Sequence, residues 1–148
     1  MNLFYQHILV AVDGSEPAEW AFKKGIEVAK RNSATLNLVH VVDTSHYRGI
    51  EMYDVNFTKK AVSQAQELLE RYAQQAKEQG IEKVKTIVEE GSAKTVITKH
   101  AAKKANADFI ICGATGINAI ERMFLGSVSE HITRHADCDV LVVRTEKE

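Results

Sequence analysis

Phe109-Ile110-Ile111-Cys112-Gly113-Ala114-Thr115-Gly116 is the stretch that decides the fold. Its first four residues are apolar without alternation, the pattern of a strand covered on both faces, and two glycines punctuate the remaining four. Ile117 to Leu125 then leads to Gly126-Ser127, where a helix opens. Glycines there let main-chain N–H groups close around an anion, and the positive end of the helix beginning at Ser127 faces the same point. Strand, glycine turn and helix N-terminus in this order make a βα unit with a phosphate cradle at its joint.

The same alternation runs outward from this unit in both directions. Tyr5 to Val12 reads as a buried strand, ended by Asp13-Gly14-Ser15. Ser15 or Glu16 caps the next helix, Pro17 fits its first turn, and Ala18, Ala21, Phe22, Gly25, Ile26 and Ala29 make its apolar stripe up to Asn32-Ser33. Leu36 to Val42 is a second buried strand, followed by a polar loop from Asp43 to Asn56. Phe57, Ala61, Ala65, Leu68, Leu69, Tyr72 and Ala76 line one face of a long helix that stops at Gln79-Gly80. The charges on its other face, Lys59, Lys60, Glu67, Glu70 and Arg71, read as solvated. Val84 to Val88 is a more polar strand, hence an edge. Gly91-Ser92 opens a helix with Ala93, Val96, Ile97, His100 and Ala101 inward, closed by Asn106-Ala107-Asp108. Beyond the opening unit, Ser127 to His135 is a short helix and Val140 to Val143 a fifth strand.

Strands alternating with helices, with no hairpin signal between them, predict βαβ crossovers: one open parallel α/β sheet with helices on both faces. Ligands of such sheets sit at the carboxyl ends of the strands, where strand order reverses. Asp13, His40 to Asp43 and Gly113 to Gly116 all fall at carboxyl ends, so one crevice can gather them.

Bulk properties set outer limits. The 148 residues suit a single domain, 1–148, and 45% hydrophobic with 26% charged residues fits a globular chain rather than a disordered one. Nineteen basic against twenty acidic side chains leave a formal charge of −1, which gives no field toward nucleic acid or an anionic membrane; no partner of either kind is expected. Met1 to His7 lacks the charged start and apolar core of a signal peptide, so a cytoplasmic location is expected. Cys112 and Cys138 have no CxxC spacing and read as reduced thiols, Cys112 as a small core residue.

Walker A and GxGxxG are both absent, so phosphate cannot be held in either of those ways. The split glycine pattern is weak as spacing alone. Together with Ile8-Leu9-Val10-Ala11-Val12-Asp13-Gly14-Ser15, the continuation Val128-Ser129 and the closing Cys138-Asp139-Val140-Leu141-Val142-Val143-Arg144, it resembles the universal stress protein family, and the glycines resemble that family's ATP-binding branch. The likeness spans essentially the whole chain. It implies a Rossmann-like fold of the adenine nucleotide alpha hydrolase type, with strand order 3-2-1-4-5.

The resemblance also implies roles. Ala11, Val12 and Asp13 line the nucleotide, with Asp13 near the ribose or a phosphate-bound Mg2+ or Mn2+. Val41, just after the second strand, offers main-chain groups to the adenine edge. Cys112 and Gly113 approach the ribose, and Gly116, Gly126, Ser127, Val128 and Ser129 surround the phosphates. A helix N-terminus with two hydroxyls can satisfy phosphate oxygens without a lysine. The cofactor implied is ATP, or else ADP or AMP. Two departures from the family stand out: Thr115 where a basic or imidazole residue is frequent, and Asp137 and Asp139 in place of prolines before the last strand. The family's habit of pairing last strands implies a homodimer through Val140 to Val143, which also covers an apolar edge.

Plainer readings stand beside these. Ser127-Val128-Ser129-Glu130 is a capping box, and Asp13 can end a strand and start a turn. His131 and His135 have i, i+4 spacing without an intervening HExxH glutamate, and read as a solvated or interface pair rather than zinc ligands. His40 reads as a half-buried satisfied histidine, and Trp20 lies off the apolar stripe, either as part of a contact surface or as an ordinary exposed aromatic. No general base with a fixed partner and no cation beside the glycines is apparent, so a regulatory nucleotide-binding role in the stress response is expected rather than an enzyme. The alternatives are a slow metal-dependent ATPase or nucleotidyl-transfer enzyme on the same fold, and an interaction module whose glycines are structural.

Overall fold

The computed structural model describes residues 4–43, 55–115 and 125–145, leaving aside the side chains of 55 and 56. Its elements are β1 (His7–Ala11), α1 (Glu16–Asn32), β2 (Thr35–Asp43), α2 (Val55–Glu78), β3 (Val84–Gly91), α3 (Ala93–Val96) continuing through a π turn (Ile97–Ala101) into α4 (Ala102–Lys104), β4 (Phe109–Gly113), α5 (Ser127–His135) and β5 (Asp139–Val143). The five strands form one sheet in the order β3-β2-β1-β4-β5, with every neighbouring pair parallel. The expected architecture and strand order are what the chain adopts, and the polar strand β3 does lie at an edge.

Each sheet face buries its own core. Ile8, Val10, Leu36 and Leu38 pack with Ala21, Phe22 and Ile26 of α1 and Leu69, Tyr72 and Ala76 of α2. On the opposite face Leu9, Val39 and Ile110 meet Ile97 and Ala101 of the π turn and Ile132 of α5. Successive residues of β1 and β2 alternate between these cores, as the pleat requires, and both faces are apolar because both are covered. Helix α1 lies especially close to β1: a Cβ built on Gly25 would stand 2.7 Å from Val10 Cγ2.

Local chemistry sets the boundaries. Ser15 is the N-cap of α1, its Oγ accepting from the Ala18 amide at 3.3 Å, while Ser33 closes that helix in the left-handed region at φ 52°. Strand β1 is shorter than Tyr5 to Val12. The Gln6 and His7 amides donate to the Asp108 carboxylate at 2.8 and 2.9 Å, so the ladder starts at His7. Tyr5 instead stacks on Phe109, with ring centroids 4.1 Å apart, and donates its hydroxyl to Asp139 Oδ2 at 2.7 Å. That bond, before the added effects of burial and nearby acids, raises the Tyr5 pKa. Asp139 therefore performs a role of its own at the start of β5, where a proline would leave Tyr5 unpartnered.

Four other expectations are corrected. Asp43 belongs to β2 and Val55 to Asn56 to α2, so the loop is shorter at both ends; residues 44–54 lie outside the described residues. Phe57 is exposed rather than buried. His100 is exposed too, because the wider π turn carries it off the face that keeps Val96, Ile97, Ala101 and Ala105 buried. Trp20 is half-buried against the α1–α2 core with Lys23 Nζ 5.1 Å from its ring centroid, so it is not an open contact surface.

Candidate functional site

The strand order reverses between β1 and β4, and the described residues singled out at carboxyl ends lie at that end of β1, β2 and β4. Ala11 is the last residue of β1. Asp13, exposed, accepts at Oδ1 from both the amide and the hydroxyl of Ser15. This turn, with Gly14 at φ +81°, hands the chain from β1 to the cap of α1. The plain reading of Asp13 as a turn former is therefore satisfied through one oxygen, Oδ1.

Across the switch point, β4 ends at Gly113, and its position is sterically dictated. A Cβ there would lie 2.9 Å from the carbonyl carbon and oxygen of Pro17, main-chain atoms that have no room to yield. Gly113 thus lets the start of α1 close against the end of β4. Cys112 is buried in the α3–α5 core, and that desolvation pushes its thiol up to about 12. It stays a neutral thiol at physiological pH, and only its main chain can serve a ligand.

Ala114 ties α5 to this corner, a role with no signal in the amino-acid pattern. Its amide donates to the Val143 carbonyl at 2.9 Å. Its own carbonyl accepts from the Gly126 amide at 2.7 Å and from Ser129 Oγ at 2.8 Å. These bonds seat the N-terminus of α5 beside the end of β4. The helical N-cap is Gly126 with no side-chain cap, so Ser127 is the first helical residue and the capping-box reading of Ser127 with Glu130 is corrected. Glu130 instead pairs with Arg134 at 3.0 Å, one turn along. The hydroxyl of buried Ser129 lies 2.8 Å from the Ala114 carbonyl and 3.0 Å from that of Gly126, so its proton is committed to the main chain. What α5 offers outward is the exposed Ser127 side chain and the first amides of the helix, which have no intrahelical acceptor.

Val41 is not just after the second strand but inside β2, which runs to Asp43 beside β3 while its pairing with β1 ends at Ala11↔Val39. Main-chain direction alternates along β2. Thr35 donates toward β1, to Gln6, and Leu36 toward β3, to Lys83. Val39, which accepts from the Val12 amide at 2.9 Å, faces β1 as Thr35 does, and so does Val41, past the end of β1. His40 is half-buried with Nδ1 2.8 Å from the Val12 carbonyl, as a satisfied histidine should be.

Ala11, Val12, Asp13, Val41, Cys112, Gly113 and the Gly126 to Ser129 turn are therefore gathered at one end of the sheet, while Gly116 falls outside the described residues. Among the described residues no three His, Cys, Asp or Glu side chains group as metal ligands. The His131 and His135 rings lie with centroids 4.2 Å apart, tilted by 36°. Desolvation first, then the charges of His135, Lys94 and Lys99, lower the His131 pKa and favour its neutral ring.

An open, doubly wound α/β protein whose strand order reverses between β1 and β4 is the class these features define. Residues 4–144 match the model of the Universal stress protein family, and the chain belongs to that family. A chain of Staphylococcus haemolyticus that carries the universal stress protein name is 51% identical over 145 residues, spanning 98% of this chain and 88% of its own. The solved universal stress protein UspA of Lactobacillus plantarum is similar with a TM-score of 0.85 and 31% identity, covering 97% of this chain and 100% of its own. Two more distant solved structures share the fold: a universal stress protein in complex with cAMP (TM-score 0.71, 22% identity, 97% and 99% covered) and one from Archaeoglobus fulgidus in complex with dAMP (TM-score 0.68, 20% identity, 95% and 98% covered). No helix among the described residues is long and apolar enough to cross a membrane.

Proposed function

We propose that this chain belongs to the ATP-binding branch of its family and works as a homodimeric sensor that holds an adenine nucleotide in the stress response. The observation that carries this reading is a pair of main-chain surfaces at the same end of the sheet: the first amides of α5, seated on Ala114, and the peptide groups of Val41 beyond the end of β1. Ser127, Val128 and Ser129 supply amides to the phosphates, with Gly126 and Gly116 keeping the approach free of side chains. Cys112 and Gly113 pass the ribose by their main chain, and Ala11 and Val12 floor the crevice. Asp13 Oδ2 can hold a Mg2+ or Mn2+ that arrives on the phosphates, because such an ion takes one or two protein carboxylates and fills its shell with phosphate and water. The adenylate ligands of the two distant relatives fit the same chemistry, an adenine with one phosphate.

Binding rather than turnover suits these residues, since donors aimed at the ground-state phosphates lower both ground and transition states. Thermal unfolding with ATP, with GTP and with neither tests the reading. ATP raises the midpoint, and an unmoved midpoint at millimolar ATP rejects it.

The homodimer is proposed through β5, which has β4 on one side and no strand on the other among the described residues. Val140, Leu141 and Val142 are only half-buried there, an edge that pairing with a second copy would cover. Light scattering is expected to give twice the 16.5 kDa of one chain; the mass of a single chain at micromolar concentration removes the dimer.

A further inference from the structure

We propose that His40 is the positioning residue for base recognition: by occupying the Val12 carbonyl it stops the β1–β2 ladder one rung early and leaves the Val41 peptide groups open to the base. The proposal rests on the nucleotide-binding reading and names what keeps its base site from closing.

Parallel ladders repeat a fixed sequence of bonds. Here the last is Val12 N–H to the Val39 carbonyl at 2.9 Å, and regular continuation would carry the Val41 N–H to the Val12 carbonyl. Among the described residues that rung is not made. The Val12 carbonyl faces the ring of His40 instead, at 2.8 Å from Nδ1. A carbonyl only accepts, so Nδ1 carries the proton, and the bond satisfies an oxygen that the end of β1 would otherwise leave to its neighbour. Meanwhile β2 stays anchored through Val41↔Glu89, Val42↔Glu90 and Asp43↔Gly91 to β3, so Val41 is held rigidly although its β1 partner has run out.

The consequence is a fixed peptide N–H and carbonyl, side by side, on the crevice side of β2. Adenine presents a ring-nitrogen acceptor beside an exocyclic amine donor, which matches that pair. Guanine presents the two in reversed order and leaves both peptide groups mismatched, and sites built to hydrogen-bond one edge discriminate strongly against the other. The side chain at position 40 thereby governs selectivity without touching the ligand.

The test compares wild type, His40→Val and His40→Asn for ATP and GTP dissociation constants, with amide hydrogen exchange at Val41 measured on the ligand-free proteins. His40→Val frees the Val12 carbonyl for Val41, so ATP binding is expected to weaken about tenfold, the loss of a well-placed hydrogen bond, with the ATP-to-GTP preference reduced and Val41 exchange slowed. Asparagine places its side-chain N–H2 where Nδ1 stands and is expected to restore both. Unchanged ATP affinity and preference in His40→Val, or an equal loss in His40→Asn with Val41 exchange unaltered, would overturn the proposal. Should His40→Val fail to fold, wild type decides: the Val41 amide must exchange faster than that of Val39, and equal protection overturns it. Wild type that binds neither nucleotide but shows an unprotected Val41 amide removes the nucleotide reading and the base role together, leaving only the arrested ladder.

Discussion

Ile132→Ala is expected to cost about 2–5 kcal/mol of stability, the range for removing a fully buried isoleucine side chain that leaves a cavity. Ile132 has no exposed surface and is the residue by which the short helix α5 enters the core of Leu9, Val39 and Ile110. Nothing else on α5 but Ser129 is fully buried, so the helix cannot collapse onto the gap by exchanging one contact for another. A loss of this size is a large part of the stability of an ordinary domain. Denaturant unfolding should show a lower midpoint with the slope retained, the sign that the native state and not the surface exposed has changed. At a temperature where the variant stays folded, its ATP affinity should fall as well, because the amides of Ser127 and Val128 ride on the same helix. A change below about 1 kcal/mol would mean that α5 is not packed as described.

Saturation with ATP should act in the opposite direction. At free ATP about a hundred times its dissociation constant, binding to the native state alone adds about 2.7 kcal/mol. For a domain of this length each kcal/mol moves the midpoint by about 2–4 °C, so a rise of about 5–11 °C is expected. The donors are main-chain groups already fixed by Ala114 and by β3, so little ordering entropy is lost on binding to offset the gain. GTP at the same concentration should give a smaller rise, and replacing Ser127 by proline, which fits the first helical turn but removes an amide donor, should reduce the ATP effect while leaving the fold intact.

Much of this was legible in the residues themselves. Buried strands such as Ile8 to Val10 and Phe109 to Cys112 are apolar on both faces, and only a sheet covered on both sides asks for that pattern. The glycine at 113 pointed to a close main-chain approach at the end of β4, although its steric reason, the main chain of Pro17, depends on a helix far earlier in the chain. Ser-x-x-Glu is misleading at the start of α5 because it is a local pattern, whereas Ser129 is drawn inward by the Ala114 carbonyl, a long-range bond the pattern cannot encode. Strand ends slip for a related reason. Asp108 and Asp43 are polar residues that sequence places in loops, yet one holds the start of β1 by its carboxylate and the other extends β2 through pairing with β3. The π turn that exposes His100 has no signature in periodicity at all.

The proposed function depends on main-chain amides at the start of α5, at the end of β4 and at Val41 gripping an adenine nucleotide without a cationic side chain. Titrating ATP into isotopically labelled protein while following amide resonances reports on each of these donors separately. The amides of Val41, Gly113, Ser127, Val128 and Ser129 are expected to shift together and to saturate at one nucleotide per chain. Shifts confined to lysine-bearing surfaces such as Lys94 and Lys99, or no shift in these five amides at saturating ATP, would show that the nucleotide is not held there.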